Sequence, residues 1–257
     1  MLIAVTRPVS PSLAQCELTH LARQPIDAAR AAAQHGAYEQ LLASLGATLV
    51  SVPPAPELPD AVFVEDTALV LDELAVLTRP GAASRRAELP GVAAVLARYR
   101  RVLELQPPAT LDGGDVLRVG RILYVGRSER TNQQGIDQLA SLLNPFDYEV
   151  RAVAFRDCLH LKSAVTDVAE RLLLFNPAWI DPAAFPGCDL LTVAPEEPYG
   201  ANALRIAGAV VYSAQYPRTR DRLVARGLQV TPIDCSELAK AEGAVTCCSL
   251  LFEAAGV

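Results

Sequence analysis

Ile3-Ala-Val-Thr-Arg-Pro8 and Ala75-Val-Leu-Thr-Arg-Pro80 nearly repeat one another. The second stretch is the return half of an apolar strand pair, Ala61–Leu71 with Leu74–Thr78. Similar pairs follow at Asp115–Val119 with Ile122–Val125, Ser163–Val168 with Arg171–Phe175, and Ala203–Ile206 with Ala209–Ser213. All are rich in leucine or β-branched residues, with short connections that mark hairpins. A single apolar strand opens each unit, near Leu49, Val102, Val150, Leu191 and Leu228, and a helical stretch follows each pair. The fifth unit stops after Val245–Phe252 and lacks its return strand. Ile3–Pro8 supplies it from the other end of the chain. The helix that unit needs comes next as Asp27–Leu45, apolar at helical spacing and closed by Gly46.

A repeat whose last copy is completed by the N-terminus predicts a closed ring of five α/β units. An ordinary α/β sheet, which also alternates strands and helices, is the plain alternative. Composition does not break along the chain, and the proline-rich Val52–Pro59 reads as a loop, so residues 1–257 read as one domain.

The 257 residues carry a net charge of −6, no basic block and few aromatics, which argues against a nucleic-acid partner. No uninterrupted apolar run reaches the roughly 18 residues of a membrane span. The N-terminus reads as a strand and not as a signal peptide, so a cytoplasmic protein with reduced thiols is expected. The six cysteines, at 16, 158, 188, 235, 247 and 248, form no Cys-x-x-Cys, so neither a zinc module nor a redox pair is expected. The acidic excess suits a cationic small molecule and plain solubility equally.

The reactive residues fall at corresponding places in the units, where a strand pair begins or in the loop that precedes it. They are Asp60 with Glu65-Asp66, Asp112-Gly-Gly-Asp115, His160 in Leu159-His-Leu-Lys-Ser163, and Cys247. In a ring these places converge at one end. Alternation along a Val245–Phe252 strand puts Cys248 with Leu250 and Phe252 on a core face and turns Cys247 toward a central pocket. A buried structural thiol is the commoner fate of either. His160 lies between leucines, as a core histidine would, whereas His35 reads as a surface residue of its helix. A cysteine with a histidine is nonetheless a recognised nucleophile pair. The glycines at 113 and 114 allow unusual backbone angles in a tight turn. Glu65-Asp66 interrupts an apolar stretch, a costly place for paired charges unless a cation meets them. Arg85 and Arg130 could each grip a carboxylate through a bidentate fork.

Taken together, Phe63-Val-Glu-Asp-Thr-Ala, Leu77-Thr-Arg-Pro-Gly-Ala-Ala-Ser-Arg-Arg, Leu111-Asp-Gly-Gly-Asp-Val-Leu, Arg130-Thr-Asn-Gln-Gln-Gly, Leu159-His-Leu-Lys-Ser and Thr246-Cys-Cys-Ser-Leu resemble the dimethylarginine dimethylaminohydrolase family of the guanidino-group-modifying (pentein) superfamily. The resemblance runs in order over nearly the whole chain. It implies a closed five-bladed pseudo-symmetric α/β propeller of ββαβ-type units. It also implies hydrolysis of methylated arginine to citrulline, with Cys247 as nucleophile, His160 as general acid and base, and Asp112 beside the histidine. Asp60, Glu65 and Asp66 would hold the guanidinium and nearby polar atoms. Arg85 and Arg130 would bind the substrate carboxylate, and the backbone carbonyls of Leu18 and Ala241 would face its α-amino end. Arg127 and Glu129 depart from the leucine and the small or basic residue usual in the family.

No metal or organic cofactor is expected, and zinc between Cys247 and His160 would act as an inhibitor. The methylated arginine is the expected small-molecule partner, with no nucleic acid and no membrane; whether the chain pairs as a homodimer stays open. Arginine deiminase, a longer chain with an inserted helical segment, and a non-catalytic ring protein are the competing readings.

Overall fold

The computed structural model describes residues 1–254, so the domain end expected at Val257 lies outside the described residues. Within the described residues fifteen strands form five three-stranded sheets. The sheet that joins the two chain ends holds β1 (Leu2–Thr6), β2 (Thr48–Ser51) and β15 (Leu250–Glu253). The second holds β3 (Ala68–Val70), β4 (Leu74–Leu77) and β5 (Arg101–Glu104). The third holds β6 (Val116–Val119), β7 (Ile122–Gly126) and β8 (Glu149–Val153). The fourth holds β9 (Val165–Ala169), β10 (Leu172–Phe175) and β11 (Asp189–Thr192). The fifth holds β12 (Ala203–Ile206), β13 (Ala209–Ser213) and β14 (Gln229–Ile233). Each sheet has the same plan: a central strand antiparallel to one neighbour and parallel to the other.

The helices are α1 (Ala28–Ser44), α2 (Leu89–Leu96), α3 (Gln133–Leu143), α4 (Leu161–Ala164), α5 (Pro217–Ala225) and α6 (Ser236–Ala239). Four of them (α1, α2, α3 and α5) make the crossover between parallel strands that such pairing requires. The α1 prediction holds at both ends. Asp27 caps it by accepting from the Arg30 N–H at 3.0 Å, and Gly46 leaves it at φ +92°, a conformation that suits a residue without Cβ. The fourth sheet departs from expectation. Between β10 and β11 only a 3₁₀ turn, Pro182–Ala184, forms, because Pro177, Pro182 and Pro186 break any longer helix.

The core consists of five apolar clusters, each shared between sheets adjacent in sequence, and the last links the fifth sheet to the first. The central strands are therefore buried on both faces. In β4, Ala75 and Leu77 pack toward the first sheet while Leu74 and Val76 pack toward the third. This is why these strands read as continuous apolar runs and not as alternating ones. Truncating one such side chain, Leu123 for example, costs about 2–5 kcal/mol.

The echo between Ile3–Pro8 and Ala75–Pro80 identifies the right strand in the wrong register. The Val52 N–H donates to the Thr6 carbonyl at 2.8 Å, and the Leu105 N–H donates to the Leu77 carbonyl at 3.1 Å. Thr6 thus corresponds to Leu77, one residue away from the Thr78 that the sequence echo aligns with it. The two strands do the same job with side chains offset by one.

Candidate active site

The acidic, histidine and cysteine segments all sit just before the outer strand of an antiparallel pair, as the repeat predicts. They are not strand residues, however. Glu65 and Asp66 lie in a 3₁₀ turn, Val64–Thr67, and Asp115 closes another, Gly113–Asp115. His160 caps α4, and Ser163 lies within that helix. Cys247 lies in a turn over residues 245–248, so the strand expected from Val245 begins only at Leu250. Cys248 is buried as expected, but it packs with Tyr38, Val245 and Cys235, whereas Leu250 and Phe252 belong to the next cluster. Cys247 does face the cavity, as strand alternation predicts, but it does so from a turn and not from a strand.

Asp60, Asp66, Arg85, Arg130, His160, Ala241 and Cys247 line one small cavity, with Phe63, Leu159, Gly243 and the acidic Glu17 and Glu242 completing its wall. The cavity measures about 20 Å³, room for about one water. Three expected residues stand elsewhere. Asp112 is fully buried behind the histidine, accepting from the Gly81 N–H at 2.9 Å and facing His160 Nε2 at 3.1 Å. Glu65 lies behind Cys247, bonded to Lys162 at 2.6 Å and to the Thr246 hydroxyl at 2.8 Å. It borders a second cavity, about 690 Å³, which reaches the hairpin turns at 70–72 and 206–208. Leu18 is partly buried in the loop above, packed in the same cluster as Cys247.

The glycines of the 112–115 turn do not adopt left-handed angles. They serve close approach instead. A Cβ at Gly113 would stand 2.0 Å from the Glu65 carbonyl oxygen, and one at Gly114 would stand 2.6 Å from His160 Nδ1 and 2.8 Å from Asp66 Oδ1. The Gly114 N–H donates to that Asp66 oxygen at 2.9 Å.

Charge is arranged tightly. Burial works against a charged His160, but Asp66, the hydrogen bond to Asp112, and Asp115 outweigh it and hold the imidazole up at about 9. Asp66 is desolvated, yet His160, Arg85 and the Gly114 N–H bring its carboxyl down to about 2. Burial pushes the Cys247 thiol far up, and Glu65 and Asp66 push it further; the Ala244 N–H at 3.3 Å and Lys162 oppose them. The sulfur is therefore a protonated thiol in this state. Asp66, Asp112 and His160 bring donor atoms within 4.8 Å of one another, the only such set that could hold a metal among the described residues; Cys247 is not in it.

Further residues position the site; Asp115 was marked by its turn, whereas Asn202 and Glu242 were missed. Asp115, fully buried, accepts from the hydroxyls of Ser128 and Thr131, both at 2.6 Å, and from the Leu161 N–H at 3.0 Å. It thus ties the turn that carries Arg130 to the helix that follows His160. Burial pushes its carboxyl up to about 6, against His160 and both hydroxyls. Asn202 stands just before β12, the place in its unit that the acids, histidine and cysteine occupy in theirs; its amide bonds Thr246 and the Lys162 carbonyl. That repeat position was its signal. Glu242 accepts from the backbone N–H groups of Thr19, His20 and Leu21 at 2.6–2.8 Å, and Arg130 donates to the Thr19 hydroxyl at 2.9 Å. Nothing in the sequence marked Glu242. His35, expected on the surface, is 3% exposed, because its face of α1 packs toward Tyr38 and the Cys248 segment.

The arginine deiminase family model matches residues 26–183. A dimethylarginine dimethylaminohydrolase of Streptomyces coelicolor is 40% identical over 96% of this chain and 95% of its own. This chain belongs to the dimethylarginine dimethylaminohydrolase family. Solved structures agree. The Pseudomonas aeruginosa dimethylarginine dimethylaminohydrolase, as a cysteine-to-serine mutant complexed with citrulline, matches at a TM-score of 0.92 and 32% identity, over 97% of this chain and 98% of that one. A dimethylarginine dimethylaminohydrolase histidine-to-glycine variant, an adduct with S-methyl-L-thiocitrulline, also matches at 0.92 and 32%, over 98% and 100%. Membership of this family makes the chain a hydrolase, and its α/β fold is the family's. Among the described residues no helix is long and apolar enough to cross a membrane.

Proposed function

We propose that this chain hydrolyses Nω-methylated arginine to citrulline and methylamine or dimethylamine, through a covalent intermediate on Cys247. One observation carries the reading: Cys247, His160 and Asp66 open on the same cavity, whose wall also holds Arg85 and Arg130. A wall that holds both carboxylates, Asp60 and Asp66, and arginines, Arg85 and Arg130, suits a ligand that carries both a cation and a carboxylate. Asp60 and Asp66 hold the guanidinium side, Arg85 and Arg130 take the carboxylate, and the Leu18 and Ala241 carbonyls face the α-amine. Glu65 acts from behind Cys247, through Lys162 and Thr246.

The guanidinium carbon is a poor electrophile because its charge is spread over three nitrogens. A cation bound beside Cys247 offsets the effect of Glu65 and Asp66 on the thiol and favours the thiolate. The sulfur attacks the carbon, and His160, kept protonated by Asp66 and Asp112, donates a proton to the departing amine. The C–N bond breaks and an S-alkylthiouronium remains. His160, now neutral, takes a proton from water as it attacks the same carbon, and citrulline leaves with the thiol restored. No step calls for a metal or organic cofactor. The five sheets are read as blades of a closed pseudo-symmetric propeller, supported by the five clusters that run from sheet to sheet. A reducing cytoplasm suits six free cysteines.

Citrulline release from asymmetric dimethylarginine, monomethylarginine and arginine, measured in parallel, tests the reading. Turnover of the methylated compounds well above arginine is expected. Preference for arginine would make the chain a deiminase, and no citrulline from any of the three would remove the hydrolase reading.

A further inference from the structure

The 3₁₀ segment Ala83–Glu88 brings Arg85 and Glu88 together beside the cavity. Glu88 is 1% exposed and accepts from Arg85 Nε at 3.0 Å and Nη2 at 2.9 Å, a bidentate pairing along one edge of the guanidinium. The rest of the guanidinium meets other partners. Nη1 donates to Asp66, while Nη2 also donates to the carbonyls of Asp60 and Phe63. Two buried carboxylates therefore share one arginine. Asp66 has further duties, at Gly114 N–H and beside His160 Nδ1 at 3.8 Å, and it lines the cavity. Glu88 does neither. On its far side Arg7 donates to the Glu88 carbonyl at 3.2 Å, and the remaining side-chain nitrogens of Arg7 are buried without a partner, so Glu88 lies between two guanidinium groups.

A buried carboxylate that touches no cavity needs a reason to be there, since burying it is costly unless it fixes something. What it fixes is the orientation of Arg85. With Nε and Nη2 committed to Glu88, the guanidinium cannot swing round to pair Asp66 through both terminal nitrogens. We propose that Glu88 is a positioning residue for carboxylate recognition: by taking Nε and Nη2 it limits Asp66 to the single contact with Nη1, so that Arg85, which lines the cavity, can also reach the α-carboxylate of the substrate. This rests on the substrate reading given above. Glu88 acts through Arg85 and has no contact with the reacting atoms.

The test separates carboxylate recognition from the chemistry. Glu88→Gln keeps the shape and removes the charge. The KM for monomethylarginine is expected to rise about tenfold, the loss of roughly one charge-assisted contact, with kcat changed less than about threefold. A halogenated amidine has no α-carboxylate, so its rate of alkylating Cys247 should stay within about twofold of that of the unaltered protein. An unchanged KM overturns the proposal. So does a fall in alkylation that matches the loss for monomethylarginine, because that marks general damage to the pocket. If Glu88→Gln does not fold, Glu88→Asp keeps the charge on a shorter arm and should show the same split with a smaller KM rise. An unaltered protein that forms no citrulline removes the substrate reading and the proposal with it, an outcome distinct from failure of the variant alone.

Discussion

Gly114 has no side chain where His160 needs the room: a Cβ there would stand 2.6 Å from the imidazole Nδ1. The same absent atom would press on Asp66 Oδ1, so one methyl group would disturb both the proton carrier and the carboxylate that charges it. Gly114→Ala is expected to lower kcat by about a hundredfold and stability by about 1–3 kcal/mol, through overpacking of a rigid site. Steady-state kinetics with a melting curve checks both. A variant with the native kcat would show that His160 and Asp66 can move apart without harm.

The two adjacent cysteines should behave differently. Cys247 opens on the cavity, whereas Cys248 is 2% exposed and packed under Tyr38 and Cys235. Cys247→Ser is expected to abolish citrulline formation in a protein that stays folded. Cys248→Ser should keep at least about a third of the activity and lose about 1–3 kcal/mol of stability, because a hydroxyl replaces a buried thiol. Activity that survives Cys247→Ser but not Cys248→Ser would reverse the assignment.

His160 makes stability depend on pH in a defined direction. Its value in the folded chain, about 9, lies above the ordinary 6.5. The protonated imidazole thus contributes its full stabilisation below about pH 6.5 and loses it as pH climbs through about 9. The contribution is on the order of 3 kcal/mol. The gap in melting temperature between the native chain and His160→Gly should therefore narrow steadily from pH 6.5 to pH 9.5. A constant gap across that range would mean that Asp66 and Asp112 do not hold a proton on the ring.

Much of this was legible in the sequence, for identifiable reasons. Helix α1 announced both ends through Asp27 and Gly46, and the central strands showed themselves as apolar runs because both faces are buried. The convergence of Asp66, Asp112, His160 and Cys247 followed from their place in the repeat. What failed was local geometry. The apolar residues around Glu65-Asp66 look like a strand because the turn that holds them is itself buried. The Thr-Arg-Pro echo misled by one residue because apolar strands resemble themselves under such a shift. Asn202 occupies the fourth unit's equivalent position, but an uncharged amide gives no sign of chemistry. Glu242 binds three backbone N–H groups more than two hundred residues away in sequence, which only the fold can bring together.

The covalent step on Cys247 is the central claim, and the intact mass of protein quenched in acid during turnover of monomethylarginine tests it most directly. A fraction of the chains should carry the added mass of the S-alkylthiouronium. Digestion should place it on Cys247 alone among the six cysteines, and the adduct should decay as substrate is exhausted. Citrulline released at full rate with no adduct trapped on Cys247, or an adduct on another residue, would contradict nucleophilic catalysis by this cysteine.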